Sequence, residues 1–293
     1  MVRRRATRVL AWFLALGVLA VVGTGGLVLL LRSLESTRPL AETCTAGDHR
    51  LEPDQTANAA LVVGMTVQRG LPARAGTIGI ATAMQESRMR PIDYGDRDSL
   101  GMFQQRPSQG WGTPEQVQDL VYSTSIFYDH LVEVPGYTEM AVTEAAQAVQ
   151  RSAFPDAYAQ HEELARAFAS SLSGWSRADL SCTLHDVEDT AGVPEAVVTR
   201  LARDLAVTGT LREGPDGERE VVVDVPVEDP SSSDVDRLAW AVAHAAVAGA
   251  SETGAGRVSI ADKVWVRDGI DSGWRDRTAA DPMPARGQVV VGS

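Results

Sequence analysis

The sequence predicts a mainly α protein, with one N-terminal transmembrane helix, a helical domain and a small α+β domain at the C-terminal end. Three observations lead to this fold class. Residues 9–31 are uncharged and apolar, residues 44–182 carry apolar side chains mostly at helical spacing, and residues 193–293 alternate between helical and strand-like patterns. With 293 residues, the chain is long enough for more than one domain.

The apolar stretch 9–31 predicts a membrane anchor, because about 20 apolar residues in a helix span the core of a bilayer. Arginines are concentrated on its N-terminal side, so the positive-inside rule places the N-terminus in the cytoplasm and the later domains outside the cell. A cleaved signal peptide is the alternative, although its apolar core usually has only about 7–15 residues. We therefore expect a single-pass protein of the cell membrane.

The charge distribution excludes one class of partner. The formal net charge is -12, and the basic residues up to position 32 lie in a segment without any acidic residue. The rest of the chain is therefore more acidic still, whereas a nucleic-acid-binding protein needs a basic surface. The five histidines have no metal-ligand spacing and no glycine-rich phosphate loop is present, so we expect no nucleic acid, metal or cofactor.

Cys44 and Cys182 are the two cysteines of the chain, and they enclose the helical region. Outside the cell such a pair predicts one disulfide, while two free thiols are the alternative. The sequence thus divides into five segments: an Arg-rich stub and anchor at 1–32, a stem at 33–43, a helical domain at 44–182, an acidic linker at 183–192, and an α+β domain at 193–293. The tail of the last domain, from Asp281, is either a last strand or disordered.

Helices are predicted throughout 44–182. The first begins with Asp54 as N-cap, the second covers 75–89 and ends before Pro91, and the third begins with the capping box at 113–116 and continues to about Leu131. Two more helices are expected at 143–152 and 156–172, and a long glycine-containing loop lies at 92–112. In the α+β domain, Trp240, Trp265 and Trp274 are either a binding face or core residues.

Glu86 is the candidate catalytic residue. It lies near the C-terminal end of the second helix, where the helix dipole raises the pKa of a carboxyl group, and burial in a cleft would raise that pKa further. A glutamate that keeps its proton near neutral pH can donate it to a glycosidic oxygen. The alternative is a solvated surface carboxylate, the usual role of glutamate on a helix.

Two motifs around Glu86 resemble the lytic transglycosylases and goose-type lysozymes. The first is the Glu-Ser pair with apolar Met89 and then Pro91, and the second has Gly101, two apolar residues, Gln104 and then Pro107. A looser third motif lies at 145–158. The resemblance covers about residues 50–175 and implies a lysozyme-like helical domain that binds the glycan strands of peptidoglycan.

The resemblance also assigns roles to residues. Glu86 would protonate the oxygen between N-acetylmuramic acid and N-acetylglucosamine and then act as base, so that the muramic 6-hydroxyl forms a 1,6-anhydro product. Further substrate-binding residues are implied at Ser87, Gln104, Gln105, Gln150 and Tyr158, where Gln150 replaces the family's usual Asn. Trp111, which lies between glycines, is predicted either to stack on sugar rings or to pack against the loop.

The loop also contains three aspartates, Asp93, Asp96 and Asp98, which offer a second carboxylate. One of them as base would make the protein a hydrolytic lysozyme, since an inverting mechanism needs a carboxylate on the opposite face of the sugar. The other interpretation is turn chemistry, because aspartate favours turns.

An inactive cell-wall-binding or scaffolding module that keeps the fold is the alternative to an enzyme. Gln150 motivates it, since the longer side chain changes the geometry beside the acid. No chemical motif occurs in 193–293. Binding a protein partner in the cell envelope is one role that we consider for this domain.

Overall fold

The structure is a computed structural model that describes residues 41–214, 217–227 and 232–293. Within it, residues 41–293 form one compact unit. The fold is α+β, with about 43% helix and 17% strand, so the prediction of a mainly α protein was wrong. The difference arises because short strands at both ends of the helical region pair with one another, and because a large sheet forms in the C-terminal part.

The predicted membrane localisation is also corrected. Among the described residues, no helix is long and apolar enough to cross a bilayer. The longest one, Pro53–Gln68, has 16 residues, against the roughly 20 that a membrane span needs. The predicted anchor at 9–31 lies outside the described residues, as do the stub and most of the stem. The described residues thus contain no span that supports the predicted single-pass membrane protein with extracellular domains.

The described residues form nine α-helices, of which several differ from prediction. Glu52, rather than Asp54, is the N-cap of the first. The predicted third helix is two helices, because Asp119 adopts an extended conformation and caps the second of them through Tyr122 N. The helices are α1 Pro53–Gln68, α2 Ala73–Ser87, α3 Pro114–Gln118, α4 Leu120–Val132, α5 Val142–Gln150, α6 Glu162–Leu172, α7 Val193–Leu205, α8 Asp234–Ala248 and α9 Ala250–Thr253.

In the described part of the chain, nine strands form two sheets, and all of their strand pairs are antiparallel. The first sheet has the order β2-β1-β3 and the second the order β4-β5-β9-β6-β7-β8. The strands are β1 Thr43–Ala46, β2 His49–Leu51, β3 Ser181–Thr183, β4 Gly209–Glu213, β5 Arg219–Asp224, β6 Arg257–Ile260, β7 Lys263–Val266, β8 Gly273–Asp276 and β9 Gln288–Gly292.

The three-stranded sheet joins the two ends of the helical region. Cys44 in β1 lies directly opposite Cys182 in β3, and the two residues form a disulfide with a Cα–Cα distance of 3.9 Å. The predicted disulfide is thus confirmed. Because the bond connects residues 138 positions apart, it greatly restricts the unfolded chain and so stabilises the folded one.

Helix α1 lies at the centre of the molecule and packs against α2, α4, α6, α7, α8 and α9. Two glycines make this close packing possible. A Cβ on Gly64 would lie 2.2 Å from the backbone oxygen of Asp204 in α7, and one on Gly79 would lie 2.7 Å from the hydroxyl of Tyr128 in α4. That hydroxyl donates a hydrogen bond to Val62 O at 2.9 Å, so α1, α2 and α4 meet without a gap.

The residues on either side of the linker share this core. Buried Arg200 in α7 pairs with Asp204 and donates to Ala57 O in α1. Trp240 and Trp265 are buried in the core, and Trp274 is partly buried against it. The division into domains at 44–182 and 193–293 stays a prediction.

His244 in α8 is fully buried and contacts Ser171 O in α6 through Nδ1 at 2.7 Å. Burial lowers the pKa of His244 from 6.5 to about 4, although the Ser171 carbonyl and Asp179 act in the opposite direction. The rings of Trp240 and Trp274 lie against the imidazole, with centroids 5.3 and 5.8 Å away. The neutral imidazole is therefore part of the packing between α6 and α8.

We predict that the free energy of unfolding falls as the pH drops from about 6.5 towards 4, since in this window the unfolded chain binds a proton at His244 that the folded chain does not. The loss attributable to His244 is up to about 3 kcal/mol. Urea unfolding at pH 7.5, 5 and 4 measures it. His244→Gln keeps a donor for Ser171 O but does not titrate, so its pH dependence is expected to be shallower; equal slopes would contradict the prediction.

Candidate active site

Glu86 occupies the last turn of α2, and two amides of α1 fix the end of that helix. Arg88 and Met89 both adopt left-handed conformations, with φ of 56° and 63°. Their carbonyl oxygens accept hydrogen bonds from Gln55 Nε2 at 3.1 Å and Asn58 Nδ2 at 2.7 Å. Left-handed backbone is unfavourable for non-glycine residues, so it persists only where its surroundings stabilise it.

Gln55 and Asn58 were missed by the sequence analysis. Both are buried in α1, and their spacing of three residues places them on the same side of the helix. The available signal was a pair of amide side chains within the apolar face of a buried helix. Such groups need hydrogen-bond partners, and the partners here are the carbonyls that follow the Glu-Ser pair.

Ser87 connects α2 to the long loop. Its hydroxyl donates to Met102 O at 2.7 Å and accepts from Arg90 N at 3.1 Å. A further contact, 3.3 Å long, goes to Ala83 O within the helix. These contacts are all with backbone atoms, which assigns Ser87 a part in holding the loop beside Glu86.

Gly101 and Gln104 shape the loop through backbone geometry. Gly101 has a φ of 76°, and a Cβ there would lie 1.9 Å from Val117 O, so no other residue fits this position. Gln104 also has a positive φ, and its Nε2 donates to Tyr94 O and Gly101 O, both at 3.2 Å. Buried Gln105 points inward and donates to Ser123 O at 2.9 Å.

Tyr158 is the closest partner of the candidate acid. Its hydroxyl donates to Glu86 Oε1 at 2.7 Å, and the Tyr158 ring is fully buried. Burial and the nearby Glu86 carboxylate raise the pKa of Tyr158 far above its ordinary value. The phenol therefore keeps its proton and acts as a permanent donor to Glu86.

Burial dominates the electrostatics of Glu86. Desolvation raises the pKa of its carboxyl group, whereas the hydrogen bond from Tyr158 and the Gln150 amide lower it, and the balance is a raised pKa. A partly buried carboxyl group with two polar partners is thus held in position while it retains affinity for a proton. These are the properties that a general acid needs.

Gln150, at the C-terminal end of α5, joins the loop to the acid. Its Nε2 donates to Phe103 O at 2.8 Å, and it also stabilises the Glu86 carboxylate. Phe103 in turn stacks on Phe127 of α4 with ring centroids 4.5 Å apart. Three segments therefore meet at Glu86: the end of α2, the loop around Phe103, and the segment from Gln150 to Tyr158.

The three loop aspartates are not equivalent. Asp98 accepts hydrogen bonds from Ser108 N at 2.8 Å and Arg106 Nε at 2.9 Å, and these two donors hold the pKa of Asp98 well below its usual range. Asp93 and Asp96 are exposed. Within the described residues, no group of His, Cys, Asp or Glu is arranged to hold a metal ion.

Aromatic residues lie on both loops that border the acid. Trp111 is partly buried, and its ring packs against His130 with centroids 4.4 Å apart. Tyr94 and Phe154, which the sequence analysis missed, are 69% and 72% exposed. The rings of Tyr94 and Phe154 are therefore accessible to a ligand, whereas the ring of Trp111 is partly covered by His130.

Comparison of the chain with protein-family models finds no match, and comparison with curated proteins finds none either. The function of this site is therefore a proposal that depends on its residues and their geometry.

We predict that Glu86→Gln stabilises the folded protein at neutral pH by about 1 kcal/mol, a typical gain for relieving an active-site cost. The raised pKa of Glu86 means that the folded chain binds its proton more tightly than the unfolded chain does. Its contribution to stability is thus present at low pH and is lost as the pH rises through the folded pKa. The advantage of the variant should consequently be larger at pH 8 than at pH 4.

Thermal unfolding at the two pH values tests this prediction. The same substitution at Glu139, which is exposed on the surface, serves as the matched control. An equal effect of Glu86→Gln at pH 4 and pH 8 would show that the ionised carboxylate is not under strain from burial.

A second prediction concerns Tyr158. Replacing it with Phe removes the hydrogen bond that stabilises the Glu86 carboxylate, so the pKa of Glu86 is expected to rise further. Carbon-detected NMR titration of the glutamate carboxyl groups measures the change, and Glu86→Gln identifies the resonance. An unchanged or lower pKa would mean that Tyr158 does not act as a donor to this carboxylate.

Proposed function

We propose that the chain is a peptidoglycan-cleaving enzyme that acts on the bond between N-acetylmuramic acid and N-acetylglucosamine, as a lytic transglycosylase with Glu86 as its single catalytic carboxyl group. The observation that carries the proposal is the partly buried Glu86, with its raised pKa and the 2.7 Å hydrogen bond from Tyr158. The Glu-Ser and Gly-to-Gln motifs around it add support.

In the proposed reaction Glu86 first acts as acid and then as base. Its proton goes to the glycosidic oxygen as the bond from that oxygen to the muramic C1 breaks, and N-acetylglucosamine leaves with a new hydroxyl. The muramic 6-hydroxyl oxygen then bonds to C1, and its proton returns to Glu86. No water is consumed, and Glu86 ends in its starting protonated state.

Tyr158 and Gln150 have defined roles in this scheme. As Glu86 loses its proton, the carboxylate that forms keeps the hydrogen bond from Tyr158, and the Gln150 amide also favours the charged form, which limits the cost of charging a partly buried group. Because Gln150 also donates to Phe103 O, the loop and the acid keep their relative positions through both steps.

The aspartates favour the single-carboxylate mechanism over hydrolysis. Asp98 is held by Arg106 and Ser108, so the oxygens that a base would use are already occupied. Asp93 and Asp96 lie exposed on the loop, where water would surround them rather than a sugar.

The alternative is a non-catalytic cell-wall-binding module. Gln150 favours this alternative, because its amide Nε2 donates to the loop at Phe103 O. In the family that the motifs resemble, the shorter Asn at this position suggests direct contact with the substrate. Under this alternative the cleft binds glycan without cleaving it, and Glu86 contributes no chemistry.

We predict that the 293-residue chain releases fragments with 1,6-anhydro ends from purified peptidoglycan, and that Glu86→Gln reduces the rate at least about a thousandfold, because one residue supplies both proton transfers. The rate should fall as the pH rises through the raised pKa of Glu86, since the protonated form is the acid. Mass spectrometry of the released fragments gives the product ends, and Glu139→Gln is the control that should leave the rate unchanged.

Each other result has a definite meaning. Reducing ends would replace the transglycosylase by a hydrolase and make Asp93 and Asp96 the next residues to substitute. Binding of peptidoglycan without release, equal in the wild type and Glu86→Gln, would support the non-catalytic module. Release that survives in Glu86→Gln would remove Glu86 from the mechanism.

A further inference from the structure

A cavity lies at the other end of α2 from Glu86. Its volume is about 190 Å³, and its lining residues are Ala73, Arg74, Thr77, Arg166, Ser170 and Trp175. Arg74 is in the first turn of α2 and Glu86 in the last, which at 1.5 Å per residue separates them by roughly 18 Å along the helix. The cavity is therefore distinct from the proposed cleft.

Trp175 gives the cavity an accessible aromatic wall. It lies in the turn after α6 and is 66% exposed, although indole rings are usually well buried. The guanidinium of Arg237 lies over the ring at 5.3 Å from its centroid, and Arg237 is anchored to Ser173 O at 3.2 Å. The indole is thus held in place from one side while most of its surface stays open.

Arg74 provides an incompletely used cation. Its Nη2 donates to Met140 O, but its Nε is buried and has no hydrogen-bond partner in the described part of the chain. None of the ion pairs among residues 41–214, 217–227 and 232–293 includes Arg74. Buried donors without a partner are rare in proteins and call for an explanation.

Arg166 adds a second cation to the same wall. It pairs with Glu162 through Nη2, and its side chain is 60% exposed, which leaves other donors of its guanidinium free for a ligand. The planar guanidinium matches a carboxylate with two parallel hydrogen bonds. Two arginines in one small cavity are notable in a chain whose net charge is -12, and their charge favours an anionic ligand.

We propose that this cavity binds a single sugar that carries a carboxylate, of the N-acetylmuramic acid class, with the ring against Trp175 and the carboxylate on Arg74 and Arg166. The volume suits one sugar, since cavities for drug-sized ligands are larger, at about 300–1,000 Å³. The choice of muramic acid rests on the proposed function. The aromatic wall and the two arginines by themselves indicate a ligand with a ring and an anionic group. The site would hold the glycan away from the point of cleavage.

The test uses two free sugars with the 293-residue chain. N-acetylmuramic acid and N-acetylglucosamine share a ring, but only the first has the lactyl carboxylate. We expect N-acetylmuramic acid to bind saturably in a calorimetric titration and N-acetylglucosamine to bind at least about tenfold more weakly, as the loss of a charge-assisted hydrogen bond predicts. Trp175→Ala and Arg74→Gln should each weaken the binding of N-acetylmuramic acid to a similar degree.

Three controls make the result specific. Trp175→Phe keeps an aromatic ring and should retain most of the affinity. Arg50→Gln removes an exposed arginine from β2, outside the cavity, and should change nothing, and circular dichroism confirms the folding of each variant. Glu86→Gln should bind as the wild type does, because the proposed cleft is separate.

The outcomes separate this inference from the proposed function. Binding that depends on Trp175 and Arg74 supports the cavity even if no peptidoglycan is cleaved. Three results would overturn the proposed sugar site in the cavity: equal binding of the two sugars, no binding, or binding that is lost only in Glu86→Gln. If Glu86 cleaves peptidoglycan in such a case, the proposed function is unaffected.

Discussion

The close burial of helix α1 is the constraint on which the rest of the structure depends. Six other helices of the described residues pack against it, and small residues such as Gly64 allow them to approach. The polar side chains buried within α1 must find partners, and they do so at the carbonyls of Arg88 and Met89. The same packing that forms the core therefore also fixes the end of α2, where Glu86 lies.

Two opposing effects meet at Glu86, and burial is the stronger one. The hydrogen bond from Tyr158 and the Gln150 amide favour the carboxylate, but desolvation outweighs them, so the pKa is raised. The arrangement suits an acid that must lose its proton and regain it, because the neutral form is favoured by burial and the charged form still has partners. A fully exposed glutamate would have neither property, and a fully buried one would be too costly to ionise.

Helix α2 connects the Glu86 site with the cavity beside Arg74. Its last turn carries Glu86 and its first turn carries Arg74, while Gly79 between them lets the helix pack tightly against Tyr128. Rigid packing along the helix keeps the two ends at a constant separation. If the cavity beside Arg74 binds glycan as proposed, the strand would reach Glu86 at a constant distance. This is one physical advantage of two binding elements on a single buried helix.

The sequence by itself determined the local features: the capping box at Thr113, the presence of most helices of 44–182 but not their ends, and the pair Cys44 and Cys182. Each depends on residues close together in the chain or on a simple count. Only the tertiary structure decided the α+β architecture, the backbone roles of Ser87 and Gln105, and the partnership of Tyr158 with Glu86, a hydrogen bond between residues 72 positions apart. Strand pairing and burial arise from contacts between distant segments, and no local pattern in the sequence encodes which segments meet.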